Sequence, residues 1–232
     1  MAVFVLVHGA WVGSAGFNPV AKLLRAQGHE VHAPSLTGLG ERTHLLTPAI
    51  DLSLHIKDVA AVIDYQRIDE FVLVGHSYGG MVVTGVSSLY GARIKSLVYL
   101  DAHLPDNGQA LADLLPREQR ADIVDLQRET PGLVPPLMGP GDASRPRPRV
   151  LHPLLTFIEP VHLSGEEKKI GNRTYVLATG ESPAPFQQFY DKAKASNDPS
   201  WRLLTRPTGH GIHVEDPEGT ASLILEELDR SV

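Results

Sequence analysis

Apolar positions along this chain fall into two periods that take turns. Short apolar runs rich in β-branched residues predict strands at 2–7, 29–34, 71–76, 94–100, 173–179 and 201–206. Several are apolar throughout rather than at every second residue, the pattern of strands covered on both faces. Between them the spacing becomes helical. Phe17 to Gln27 reads as a helix stopped by Gly28, and 51–65 as another with Leu52, Ile56, Val59, Ala60 and Ile63 along one side. The last helix carries Asp216 as N-cap, Pro217 and Glu218 in its first turn, then Leu223, Leu225 and Leu228. This alternation predicts an α/β fold, a parallel sheet with helices on both faces.

One stretch departs from it. From about Leu104 to Gly171 no convincing strand is found, and prolines gather at Pro131, Pro135, Pro136, Pro140, Pro146, Pro148 and Pro153. A long insertion at the edge of a parallel sheet is usually functional. The expected organisation is therefore a core of 1–103 and 172–232 with a cap or lid at 104–171. Within the insertion, the basic run Arg145-Pro146-Arg147-Pro148-Arg149 reads as a solvated loop tip. There is no internal repeat.

Composition narrows the class further. A length of 232 residues suits one domain with a sizeable core, and 42% apolar with 21% charged residues is ordinary for a globular protein. A net charge of −6 argues against a nucleic-acid or anionic-membrane partner. No apolar run reaches the ~18 residues that span a bilayer. Met1 to Val7 is apolar but has no basic start or cleavage site and runs into His8-Gly9-Ala10, so it reads as a first strand. The chain has no cysteine, which removes disulfides and thiol chemistry. A cytoplasmic location is the default expectation.

The chemistry concentrates in Gly75-His76-Ser77-Tyr78-Gly79. It follows the apolar run Phe71-Val72-Leu73-Val74 and precedes the small-residue stretch Gly80-Met81-Val82-Val83-Thr84-Gly85. Strand, sharp turn and helix with a serine at the apex is the context that gives the short pattern meaning. The turn is too tight for side chains beside it, which the flanking glycines answer, and it lifts the hydroxyl out of the fold. A serine hydroxyl is a poor nucleophile at neutral pH and needs a base and a place for developing negative charge. The base is expected after the last strand, where Thr208-Gly209-His210-Gly211 stands. His210 is favoured over His213, which would begin to enter the last helical segment. His76 is read as a packing or hydrogen-bonding residue, as are His29, His32, His44, His55, His152 and His162. No metal-binding spacing of histidines is present, so neither metal nor cofactor is expected.

Oxyanion stabilisation needs two backbone N–H groups aimed at one point. Tyr78, after the nucleophile, would supply one, and Ala10, in the loop His8-Gly9-Ala10-Trp11 after the first strand, the other. The acid that orients the imidazole has two candidates, both closing strands. Asp101 ends Ser96-Leu97-Val98-Tyr99-Leu100, and Glu181 follows Thr174 to Gly180. A carboxylate directly closing a buried apolar strand has little structural reason to be there, which favours Asp101.

The chain resembles the α/β-hydrolases, and more closely the branch holding plant methyl esterases, plant hydroxynitrile lyases and bacterial carboxylesterases. The resemblance covers nearly all of the sequence. It rests on Val5-Leu6-Val7-His8-Gly9-Ala10-Trp11, Gly38-Leu39-Gly40-Glu41-Arg42, Val74 to Gly80, Leu100-Asp101-Ala102, and Gly209-His210 with Pro217. It implies a core of about six parallel strands with a small cap after the family's sixth strand. The plant members place an aspartate after the strand corresponding to 174–180, where this chain has Gly180-Glu181-Ser182-Pro183. Other α/β-hydrolases carry their acid at the position of Asp101.

The leading expectation is hydrolysis of a small, hydrophobic carboxylic ester through an acyl-enzyme, with amide or lactone hydrolysis open to the same machinery. Hydroxynitrile lyases of this branch carry a threonine where Gly9 stands and a lysine where Gly211 stands, which argues against lyase activity here. A receptor that binds ligand unchanged is the alternative from another class. The pocket is expected between cap and sheet, with Trp11, Tyr78, His103, Phe157 and Ile212 as walls. Relatives of this kind often form homodimers.

Overall fold

The computed structural model describes residues 1–137 and 150–230. The run Arg145-Pro146-Arg147-Pro148-Arg149 lies outside the described residues. In chain order the elements are β1 (Val3–Val7), α1 (Asn18–Ala26), β2 (Glu30–His32), α2 (Leu52–Tyr65), β3 (Phe71–His76), α3 (Gly79–Tyr90) and β4 (Ile94–Leu100). Then come α4 (Leu111–Leu114), α5 (Arg117–Leu126), β5 (Leu133–Val134), β6 (His152–Pro153) and α6 (Leu155–Ile158). The chain closes with β7 (Arg173–Ala178), α7 (Gln187–Ala195), β8 (Trp201–Arg206), α8 (Ile212–Glu215) and α9 (Pro217–Asp229).

Among the described residues, six strands form one sheet in the order β2-β1-β3-β4-β7-β8, every neighbouring pair parallel. The continuous apolar runs have their cause in this arrangement. Side chains alternate across a strand, so Val5, Val7 and Leu73 enter a core on one face with α2 and α3. Phe4, Leu6, Val72 and Val74 enter the other, against α1 and α9. Phe4 to Val7 are all 0% exposed.

The helix ends follow their caps. Asp51 accepts from Leu54 N at 2.8 Å and opens α2; Asp216 accepts from Gly219 N at 2.9 Å and opens α9 with Pro217 in its first turn. On α2 the fully buried position is His55 rather than Ile56, which is only partly buried. His55 turns inward because both ring nitrogens find partners there, Tyr78 Oη and the Thr37 carbonyl, each at 2.9 Å. Between β4 and β7 the structure adds a strand pair that the sequence did not suggest: Leu133–Val134 runs antiparallel to His152–Pro153. Two residues on each side are too few for a period to register. Among the described residues, no helix is long and apolar enough to cross a membrane.

Candidate active site

Ser77 stands between the last residue of β3 and the start of α3 with φ of +54°, a conformation uncommon outside glycine. The glycines on either side have a steric cause. A Cβ on Gly75 would meet Val83 at 2.7 Å, and one on Gly79 would meet the Val7 carbonyl at 2.6 Å. The turn is held by the Ser77 carbonyl, which accepts from Gly80 N at 3.0 Å and from His103 N at 3.1 Å. Small residues thus let the start of α3 press against both β1 and the loop after β4.

His210 sits in the loop after β8. Its Nδ1 lies 2.6 Å from Asp101 Oδ2, while the other Asp101 oxygen accepts from Ala178 N at 3.0 Å. Asp101 is 0% exposed, so both its oxygens are engaged away from solvent. The backbone of His210 is fixed as well, since its carbonyl accepts from His76 Nε2 at 2.8 Å. Phe186 stacks on the imidazole with ring centroids 4.7 Å apart and an interplanar angle of 12°. Glu181, the other candidate acid, is exposed just past β7. His213 is buried in α8 and stacks on Phe17 at 4.2 Å; burial pushes its pKa down to about 4.

The loop after β1 runs directly beside Ser77: a Cβ on Gly9 would lie 3.0 Å from Ser77 Cβ. His8 braces this loop, donating from Nδ1 to the Gly9 carbonyl at 2.7 Å and accepting at Nε2 from Leu36 N at 3.0 Å. Burial lowers its pKa to about 4, so it stays neutral and keeps that acceptor. Trp11 N donates to His152 Nδ1 at 3.4 Å and Trp11 Nε1 to the Val134 carbonyl at 2.8 Å, tying the loop to β5 and β6. Among the described residues, neither the Ala10 nor the Tyr78 amide donates to a protein acceptor.

Ser77 and His210 open into one cavity of about 250 Å³. From the sheet side it is lined by Ala10, Trp11, Tyr78 and His103. Leu111, Leu114, Leu115, Leu137 and Phe157 cover it from the segment between β4 and β7. Pro185, Phe186 and Phe189 close a third side, and the uncharged amides of Gln119 and Gln188 complete it. Ile212, an expected wall, is not among them. It opens α8 and points into the core with Phe17, where it is 1% exposed. Sequence reasoning missed Phe186 and Phe189. The cluster Pro183-Ala184-Pro185-Phe186 directly after a strand was the available signal. Among the described residues, no group of three or more histidine, aspartate or glutamate side chains could hold a metal ion.

A hydroxyl on a sharp elbow and an imidazole locked to a buried carboxylate, on a parallel sheet covered on both faces, define a class of protein. Residues 4–223 match the model of the alpha/beta hydrolase family, and the chain belongs to that family. Within it, this sequence is 37% identical to the carbendazim hydrolyzing esterase of Nocardioides sp. (strain SG-4G) over 243 aligned residues, 95% of this chain and 97% of that one. The pyrethroid hydrolase of Sphingobium wenxiniae is 27% identical over 97% of this chain and 87% of its own. Among solved structures, an extracellular alpha/beta-hydrolase from a Paenibacillus species superposes with a TM-score of 0.80 at 23% identity, over 98% of this chain and 99% of that one.

Proposed function

We propose that this protein hydrolyses carboxylic esters of small, uncharged, largely apolar molecules through an acyl-enzyme on Ser77. The observation that carries the proposal is the 2.6 Å contact of His210 with buried Asp101 in the cavity that Ser77 faces. Its similarity to two named hydrolases over nearly the whole chain supports the ester class. Ser77 Oγ bonds to the ester carbonyl carbon while His210 Nε2 takes its proton. The carbonyl oxygen, now negative, accepts from the Ala10 and Tyr78 amides, whose freedom from protein acceptors supports that role. As the carbon–oxygen bond to the alcohol breaks, His210 returns the proton to the leaving oxygen. Water then attacks the acyl carbon, gives its proton to His210, and the acid departs as Ser77 recovers its hydrogen. Asp101 keeps the imidazole in the tautomer with Nδ1–H and stabilises its cation. In this reading 104–171 is a cap over the 1–103 and 172–232 core, and its leucines form the cavity's outer wall.

The test is release of p-nitrophenol from a short-chain ester by wild type and Ser77→Ala. A burst from wild type and none from the variant is expected. A folded wild type that binds such an ester and releases nothing would favour a receptor on the same fold.

A further inference from the structure

Phe186 lies flat against His210. Their ring centroids are 4.7 Å apart and their planes differ by 12°. Phe186 is held there from several sides. It immediately precedes α7, and its carbonyl accepts from Phe189 N at 3.0 Å. Its ring packs on His103 at 4.9 Å and 74°, and on Phe189 at 5.8 Å and 45°. His103 in turn donates its backbone N–H to the Ser77 carbonyl. The ring stacked on His210 is thus fixed in the same frame as Ser77.

An apolar lining does not by itself call for this arrangement. Leu111, Leu114 and Leu115 wall the same cavity. An aromatic face differs from them in one property, the negative charge density over its plane. That density matters little to a neutral imidazole and attracts a cationic one within about 6 Å of the ring centroid. The other stacked phenylalanine–imidazole pair among the described residues, Phe17 with His213, joins two buried rings. Burial lowers the His213 pKa to about 4, so that stack is packing between uncharged groups. The His210 side chain is 38% exposed and reaches the cavity, where it can take up a proton. Around it, Asp101 Oδ2 lies 2.6 Å from Nδ1, and exposed Glu215 is engaged with Gly209 N at 2.8 Å. His76, with its ring 4.6 Å away, and His103 and His213 are kept neutral by burial. Asp101 therefore meets the imidazole at its edge and Phe186 at its face.

We propose that Phe186 is a positioning residue for the reaction, its ring face holding the His210 imidazole in place and stabilising the cation formed while His210 carries the Ser77 proton. The inference rests on the acyl-enzyme reading and deepens it. Both halves of that cycle pass through the imidazolium, so the contact favours formation of the acyl-enzyme and its hydrolysis alike. Because the stabilisation exists only while His210 is charged, it belongs to the transition state and is read in kcat rather than KM.

Fluorine withdraws density from a ring face while nearly keeping its size. Phenylalanine, 4-fluoro-, 3,5-difluoro- and 3,4,5-trifluorophenylalanine at position 186 therefore form a graded series. Their kcat and KM on phenyl acetate are followed as initial rates from pH 5.5 to 9, with the fold checked by circular dichroism. On the high-pH plateau kcat should fall stepwise, by about threefold to tenfold at the trifluoro member. The acid limb of kcat/KM should move to lower pH by the same factor, about 0.5 to 1 unit, because a cation that loses support gives up its proton more readily. Phe186→Leu, which keeps an apolar wall, should lose the same factor in kcat, and Phe186→Tyr should retain most of it. A series flat in both kcat and acid limb, or an effect confined to KM, would overturn the role and leave Phe186 a cavity wall. The fluorinated series carries the test alone if Phe186→Leu does not fold. Failure of the reaction itself reads differently. Phenyl acetate turned over by wild type and not by Ser77→Ala, with a flat series, rejects only Phe186, whereas a folded wild type inert on it rejects the ester chemistry and the Phe186 role together.

Discussion

Asp101 has φ of +43°, a backbone conformation that costs a non-glycine residue about 1–2 kcal/mol. The turn brings its carboxylate back over β7 to Ala178 N and out to His210 Nδ1. This is where sequence reasoning stalled between two acids. Asp101 and Glu181 both follow strands, and β4 and β7 are neighbours in the sheet, so chain position alone puts either near His210. What separates them is the direction each side chain takes after its strand, which no spacing encodes. Asp101→Asn is expected to cut turnover by roughly 10⁴ while Glu181→Gln leaves it nearly unchanged. Steady-state rates on one ester decide between them, and the opposite pattern would assign the orienting role to Glu181. Ile212 went astray for a related reason, since standing two residues from His210 in the chain says nothing about which side of the sheet it enters.

The elements were more legible than their contacts. Each sheet strand lies within the span expected for it. The inner strands are legible because a buried parallel strand is apolar on both faces, whereas the edge strands β2 and β8 carry Glu30, Arg202 and Arg206 and are only partly buried. The last helix was legible from Asp216 and Pro217, but what fastens it was not. Glu227, which reads as an ordinary polar position, is 0% exposed. It accepts from Ser96 Oγ at 2.7 Å and Thr174 Oγ1 at 2.8 Å, and pairs with Arg202 at 3.2 Å and Arg230 at 2.9 Å. One carboxylate thereby ties α9 to β4, β7 and β8. Removing it leaves two guanidinium groups and two hydroxyls short of a partner, so Glu227→Ala should lower stability by about 3 kcal/mol. Urea unfolding at neutral pH would measure it, and a loss under ~0.5 kcal/mol would mean that the network contributes little.

Across the whole molecule, imidazoles replace many of the apolar side chains a core would hold. His8 and His213 have pKa values lowered to about 4, and His103 to about 3; burial is the main cause for each. His55, His76 and His152 are lowered too, again chiefly by burial. These groups are neutral when folded and protonate near 6.5 when the chain unfolds. Below that pH the unfolded chain binds protons that the native state refuses, so stability falls as pH drops from about 6.5 towards the folded values. His8, His103 and His213 alone give a slope on the order of 4 kcal/mol per pH unit, a large fraction of an ordinary domain's total. Thermal melting at pH 7, 6 and 5 should show Tm dropping steeply over that interval, and a constant Tm would contradict the burial of these histidines. His8 shows why the native state resists: its Nε2 accepts from Leu36 N, and a proton there would set two hydrogens against each other.

The hydrogen bonds that hold Ser77, Asp101 and His210 join them to one another and to residues 76, 80, 100, 103, 176, 178 and 212. None belongs to the segment that roofs the cavity. That segment touches the floor of the cavity through Trp11, which hydrogen-bonds His152 and the Val134 carbonyl, and through Tyr78, whose ring packs on His152 with centroids 4.8 Å apart and stacks on Phe157. The roof is in this sense an exchangeable part. Descendants of this chain could replace its leucines, and so their diet of esters, without re-solving the chemistry, as long as whatever takes the place of Val134, His152 and Phe157 still holds the Trp11 and Tyr78 rings.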